Sequence, residues 1–209
     1  MASAVQIQPR AGACTPTAMQ PYPSHLVKNV PLDDGGEITI RPIRPEDAGI
    51  EAEFVRNLSN ESRYYRFMGS LRELTPQMLS HFTRVDYDRH MALVAVTRIN
   101  GMESEIAVAR YIITDAGSSC EFAIVVTDAW QHRGVGSHLM HALMDAARQR
   151  GLHIMFGEVF SSNHKMLNFV GRLGFHATPD PNDTRLMRIE AKLRDCETKS
   201  ARCGKLNHE

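Results

Sequence analysis

No surplus of either charge marks this chain: 24 lysines and arginines stand against 24 aspartates and glutamates. A nucleic-acid-binding protein carries a basic excess or stripe, so no nucleic-acid partner is expected. Long apolar runs are missing as well. None approaches the roughly 20 residues that a bilayer-spanning helix needs, so no membrane partner is expected either. Cysteine is scarce. Cys14, Cys120, Cys196 and Cys203 are scattered without a CxxC pair, which reads as free thiols in a reducing, cytoplasmic setting. The ten histidines are dispersed, with no HExxH and no paired Cys/His ligands, so no metal site is expected. The first 30 residues lack an apolar h-region and carry one arginine before Lys28, which fits neither a signal nor a transit peptide.

What is present is an ordinary globular composition. With 209 residues, 43% hydrophobic and 23% charged, the chain can bury one sizeable core. Residues 1–30 read as a flexible tail, 36–190 as a single domain, and 192–209 as a polar C-terminal tail. Within the domain, Glu37–Arg41 alternates like a half-buried strand. A helix with Ile50, Phe54, Val55 and Leu58 on one face follows Pro45. Ser59 and Thr75 mark two further helix starts, the second with Pro76 at its first position. Met91–Thr97, Glu105–Ile113 and Glu121–Val126 read as an antiparallel meander, its first hairpin turning at Asn100-Gly101. Ile154–Phe160 is a strand. Ser162 or Asn163 caps a helix that Gly174 closes, and short strands at Phe175–Thr178 and Arg185–Ile189 complete an α/β domain with a mixed sheet.

The stretch Glu121–Arg150 organises the rest. An apolar β-branched strand runs into a polar turn, then Gly134-Val135-Gly136 opens a helix with Val135, Leu139, Leu143 and Ala146 on one face. A strand, a glycine loop and a helix N-terminus form an anion site, because the first helical amides lack internal partners and glycine lets a phosphate approach. A dinucleotide fingerprint would need a third glycine where Leu139 stands, and a P-loop would need a lysine beside Ser137. What remains is Gln131-x-x-Gly134-x-Gly136.

That motif resembles the pyrophosphate-binding signature of the GNAT superfamily of acyl-CoA-dependent N-acetyltransferases. Asn163-x-x-Met166-Leu167 through Gly174-Phe175 resembles the same family's later helix. In the first half, Arg41–Asp47, Tyr64–Phe67, Asp86–Val96 and Glu121–Val125 are similar to the catalytic domain of bacterial protein lysine acetyltransferases of the Pat type. The resemblance covers residues 37–190. It implies a mostly antiparallel, twisted mixed sheet flanked by helices, with acetyl-CoA in the splay between the fourth and fifth predicted strands. It also implies an acceptor lysine on a protein partner, with an acyl-CoA synthetase among the candidates. Two departures stand out. Many Pat enzymes join this domain to a synthetase-like region that these 209 residues do not contain, and the position of a frequent acid-donating tyrosine is held by Val170.

The resemblance assigns the general base to Glu121. A lysine with a pKa of about 10.4 is neutral about once in 2,500 at pH 7, so a base near the acceptor is useful. Glu121 shares a strand face with Ala123 and Val125, and partial desolvation there raises a carboxylate's pKa. Cys120 points to the opposite face, which favours direct transfer over a cysteine intermediate. For the cofactor, Ile124, Val125 and Val126 would pair their strand edge with pantetheine amides. The backbone amides of the loop Gln131, His132, Arg133, Gly134, Val135, Gly136 and Ser137 would hold the pyrophosphate, and Asn163 would meet the pantetheine arm or cap its helix. Arg133 and Lys165 read equally as adenosine-phosphate contacts or as surface charge. Asp86, Tyr87 and Asp88 read either as a lysine-attracting patch or as a plain turn. Tyr64, Tyr65 and Phe67 read as core packing, and His132, His138 and His141 as surface residues. The same motifs also suit a small-amine or N-terminal acetyltransferase, or a non-catalytic acyl-CoA sensor.

Overall fold

A computed structural model describes residues 20–69, 71–114 and 117–193. Its centre is one eight-stranded sheet. The strands are β1 (Lys28–Pro31), β2 (Glu37–Pro42), β3 (His90–Ile99), β4 (Met102–Ile113), β5 (Ser119–Val126), β6 (Ile154–Phe160), β7 (His176–Pro179) and β8 (Leu186–Lys192). They lie in the order β1-β2-β3-β4-β5-β6-β8-β7. Every neighbouring pair is antiparallel except β5 and β6.

Helices α1 (Ala48–Asn57), α2 (Asn60–Phe67) and α3 (Pro76–Thr83) cover one face, and α4 (Val135–Gln149) the other, with α5 (His164–Arg172) beside β7. Local chemistry sets their starts. Ser59, Thr75 and Asn163 each accept a bond from the backbone N–H three residues on, satisfying an orphan donor of the first turn. Asn100 and Gly101 both have positive φ, as a two-residue hairpin with the native twist requires. Strands β3 and β4 are buried on both faces. Leu93, Ala95, Ala107 and Ala109 meet Leu139, Met140 and Leu143 of α4, while Ala92, Val94, Val96 and Val108 meet Phe54 and Val55 of α1.

Residues 20–30, read from the sequence as the end of a tail, are built into the fold. A 3-10 turn at Ser24–Leu26 buries Leu26, and β1 pairs along β2. Short and mostly exposed, with Val30 alone turned toward the core, β1 carries no alternation of its own; β2 supplies its order. The earlier part of that tail and the stretch from 194 onward lie outside the described residues. The last strand also runs farther than expected, to Lys192.

Asp86–Asp88 is a structural turn. Asp86 Oδ1 accepts from the amides of Asp88, Arg89 and His90 at 2.8–2.9 Å, Tyr87 donates its hydroxyl to the Ile43 carbonyl at 2.7 Å, and Asp88 pairs with Arg150. Beneath α1 lies a buried charge cluster. Arg110 reaches Glu51 at 3.5 Å and covers the Phe82 ring, and Glu105 is enclosed beside them. Burial and the adjacent Glu51 push the Glu105 carboxyl well above its ordinary pKa. No helix among the described residues is long and apolar enough to cross a membrane, and no group of three or more His, Cys, Asp or Glu is placed to hold a metal.

Candidate active site

The parallel pair β5–β6 lasts only three residues, Ser119 with Ile154, Cys120 with Met155, and Glu121 with Phe156. Beyond Glu121 the strands diverge, because β5 continues along β4 as far as Val126 and β6 continues along β8 as far as Phe160. Between them opens a cleft of about 480 Å³.

Hydrogen-bond alternation decides which backbone groups face that opening. Thr114 donates to Ser119 and Thr127 to Ile106, so the odd-numbered residues of β5 bond to β4. Phe122, Ile124 and Val126 therefore direct their N–H and C=O groups into the splay. The Val126 carbonyl is taken by the Gln131 side chain at 3.1 Å. Phe122's carbonyl lies against Gly157, where an added Cβ would stand 3.1 Å away. Ile124 keeps a free edge, with β6 already gone from its side.

At the C-terminal end of β5, a 3-10 turn at Asp128–Trp130 leads to the glycine loop. Asp128 anchors it to α2 by accepting from Ser59 N and from the Ser59 and Ser62 hydroxyls at 2.9–3.1 Å. His132 and Gly134 both have positive φ, 61° and 82°, which curls successive amides toward one point. The first intrahelical bond of α4 runs from His138 to Gly134, leaving the amides of Val135, Gly136 and Ser137 for an anion.

Most of the expected cofactor residues meet here. Ile124, Val125, Val126, Gln131, His132, Gly134, Gly136, Ser137 and Asn163 border the cleft, as does Lys165. Asn163 commits Oδ1 to the Met166 amide, which leaves its NH₂ free to donate. Two side chains stay out. Val135 is fully buried in the core, so only its amide can serve. Arg133 turns outward to pair with Asp34 at 2.6 Å and to cover the Trp130 ring at 3.9 Å. Lys165 reaches Glu61 of α2 at 3.7 Å across the cleft. Gly136 has a second duty: a Cβ there would stand 3.4 Å from the Phe169 ring and 3.5 Å from Val126.

Glu121 heads the cleft at the last paired position of β5. Burial raises its pKa, the charge of Glu158 adds to the rise, and Arg188 opposes it. Cys120, beside it, is fully buried on the opposite face, and burial pushes its thiol up to about 12. Val170 is 1% exposed within the core and does not border the cleft.

The cleft also holds residues that the sequence did not announce. Tyr65, expected in the core, forms part of its wall, and Tyr64 is 46% exposed with its ring stacked on Phe160 at 5.3 Å. Glu158 faces the cleft from β6, and Phe169 and Arg172 from α5. The alternation of Phe156, Glu158 and Phe160 along β6 was the one signal available for the first of these.

Residues 53–175 match the profile of the acetyltransferase (GNAT) family. The chain belongs to the GNAT acetyltransferase family. As such it is an acetyl-CoA-dependent acyltransferase. It is 35% identical to the acetyltransferase PA5475 of Pseudomonas aeruginosa over 153 residues, 73% of this chain and 82% of that protein. It is 32% identical to the acetyltransferase Pat of Mycolicibacterium smegmatis over 136 residues, 65% of this chain but only 40% of that one. In structure it matches the GNAT domain of S. lividans PAT with a TM-score of 0.75 and 32% identity, covering 82% of this chain and 99% of that domain.

Proposed function

We propose that this GNAT enzyme acetylates the side-chain amine of a lysine in an acceptor protein, by direct transfer, with Glu121 as general base. The observation that carries the reading is the position of Glu121. Its carboxylate stands where the β5–β6 pairing ends, half-buried, with its proton affinity raised. The likeness to two Pat proteins supports a protein lysine as acceptor.

Acetyl-CoA fits the residues present. The free edge of Ile124 and the Asn163 amide match the pantetheine amides, and the curled amides of the loop match a pyrophosphate. Bound there, it supplies an activated acetyl thioester. Glu121 takes the proton from the lysine Nζ as that nitrogen attacks the thioester carbon, and the C–S bond breaks to release a thiolate. A thiol with a pKa near 8.5 leaves readily, so the buried Val170 costs the reaction little, and water or the amine's own proton can neutralise the sulfur. Cys120 takes no part, because its sulfur lies in the core on the far side of the sheet.

Incubation with acetyl-CoA and a cell lysate, followed by mapping of acetylated lysines by mass spectrometry, tests this. Acetylation at defined lysines that vanishes with Glu121→Gln is the expected result. Acetylation confined to small amines or protein N-termini refutes the lysine reading.

A further inference from the structure

The chemistry above uses one carboxylate, yet the cleft presents two. Glu158 lies on β6 two residues past Phe156, the partner of Glu121. Residues two apart on a strand share a face, and in-register partners share it too, so Glu158 and Glu121 project to the same side from the two arms of the splay. The Oε2 atom of Glu158 is enclosed and has no hydrogen-bond partner among the described residues. An enclosed, unpaired carboxylate oxygen is costly, and a bound donor relieves that cost.

The nearby cation does not fill this role. Arg188 of β8, the cross-strand partner of Glu158, lies over the Phe156 ring at 4.1 Å and reaches Glu190 at 3.5 Å; its charge acts on Glu158, but it makes no hydrogen bond to Oε2. Asp180 and Asp183, in the turn between β7 and β8, add negative field, although Asp183 is itself paired with Arg185. From α2, Tyr64 and Tyr65 bring their rings to Phe160 at 5.3 and 6.2 Å. Aromatic faces beside a free carboxylate favour an organic cation over an anion or a neutral amine.

We infer that Glu158 is the docking carboxylate of the acceptor site, holding the lysine as its ammonium and presenting it to Glu121. This deepens, and rests on, the reading of a lysine acceptor with Glu121 as base. An ammonium has three N–H donors, enough to meet both carboxylates at once. Only Glu121 receives a proton during attack; burial and Asp180 raise Glu158's own proton affinity, Arg188 opposes the rise, and the bound ammonium favours its charged form, so that it acts by binding. The site thereby selects a cationic primary amine. Glu158 also sets the proton affinity of its neighbour, since its negative charge is the second-largest cause of the rise at Glu121, with Arg188 acting in the opposite sense.

Glu158→Gln and Glu158→Asp test this with a lysine-bearing acceptor that the wild type acetylates. In Glu158→Gln the KM for the acceptor should rise about tenfold or more, as loss of one partner of a shielded charge pair predicts. Acetyl-CoA affinity by calorimetry should stay at the wild-type value. The apparent pKa of the base in the pH–rate profile should fall, because the charge that raised it is gone, and Glu158→Asp should recover part of both effects. A wild-type KM and pH profile in Glu158→Gln, with Glu121→Gln inactive on the same acceptor, overturns this inference and leaves the lysine reading standing. A wild type that acetylates no lysine overturns both.

Discussion

Replacement of Glu121 by glutamine keeps the side chain's shape and removes its capacity to accept a proton. The backbone at this position is paired to Ile112 on one side and Phe156 on the other, so the fold should be unaffected. At pH 7 an unassisted lysine lies about 3.4 units below its pKa, and reaching the neutral amine costs about 4.6 kcal/mol. A positioned base is typically worth about 10²- to 10⁴-fold, or about 2.7–5.4 kcal/mol, the same order as that cost. Turnover of the variant at pH 7 should fall by this factor, while acetyl-CoA affinity holds, because the proposed cofactor contacts are at Ile124 and in the loop. The pH dependence separates lost proton transfer from lost geometry. The wild-type rate should rise through the pKa of Glu121, which burial and Glu158 hold above the ordinary 4.5, and then level off. The variant should instead follow the free amine, so between pH 7 and pH 9 its deficit should shrink by about a hundredfold. Single-turnover acetylation across that range, with calorimetry of acetyl-CoA binding, gives both readouts. Near-wild-type turnover at pH 7 makes Glu121 structural. A large deficit that does not change with pH makes it a positioning group.

Gly134→Ala places a side chain at φ 82°, in the left-handed region that costs an L-residue about 1–2 kcal/mol. Acetyl-CoA affinity measured by calorimetry should weaken several-fold, and an unchanged value removes the loop from the phosphate site. Val170→Tyr forces a ring into a core position that is 1% exposed, so the urea midpoint should drop by an amount equivalent to about 1–3 kcal/mol. Its single-turnover rate should gain less than about tenfold, and a larger gain identifies proton donation to sulfur as limiting. Glu105→Gln tests the buried cluster. The folded pKa of Glu105 is raised above 4.5, so its contribution to stability is complete below that pH and is lost as pH rises through the folded value. The variant should melt higher than the wild type at neutral pH, with a flatter stability profile above pH 4.5; equal profiles refute the raised proton affinity of Glu105.

What the sequence disclosed was local. Ser59, Thr75 and Asn163 cap their helices by bonds that span three residues, and the stripe on α4 needs only the helical period. The Asn100-Gly101 turn is likewise decided by two residues. Strand β1 was missed because four residues with a single apolar side chain turned inward, Val30, carry no alternation until β2 lies beside them. In the cleft, the loop was read through its backbone amides, and the side chains of Val135 and Arg133 do turn away, since a curled loop sends consecutive side chains in different directions. Tyr65 and Glu158 come from α2 and β6, which meet only in three dimensions. Nothing near Tyr65 in sequence separates a cleft wall from a core, and its aromatic character argued for the core.

The free strand edge explains why the functional parts collect where they do. An unpaired run of backbone donors and acceptors is a liability in a sheet, and proteins cover or shorten it. Here the exposure is confined. Strand β6 covers β5 up to Glu121, Gly157 lets the two backbones stay close at Phe122, and Gln131 takes the Val126 carbonyl. Ile124 is left open, between a carboxylate three residues before it and a glycine loop that begins seven residues after it. Extended backbone rises about 3.3 Å per residue, so that edge spans about 10 Å from Glu121 to Ile124. A ligand paired there as an added strand is therefore fixed in register, with one end at the base and the other at the helix amides. Side-chain contacts alone would give position without register. On the proposed reading, the hydrogen bonds that β5 forgoes with β6 are what would align a long, flexible cofactor against the carboxylate of Glu121.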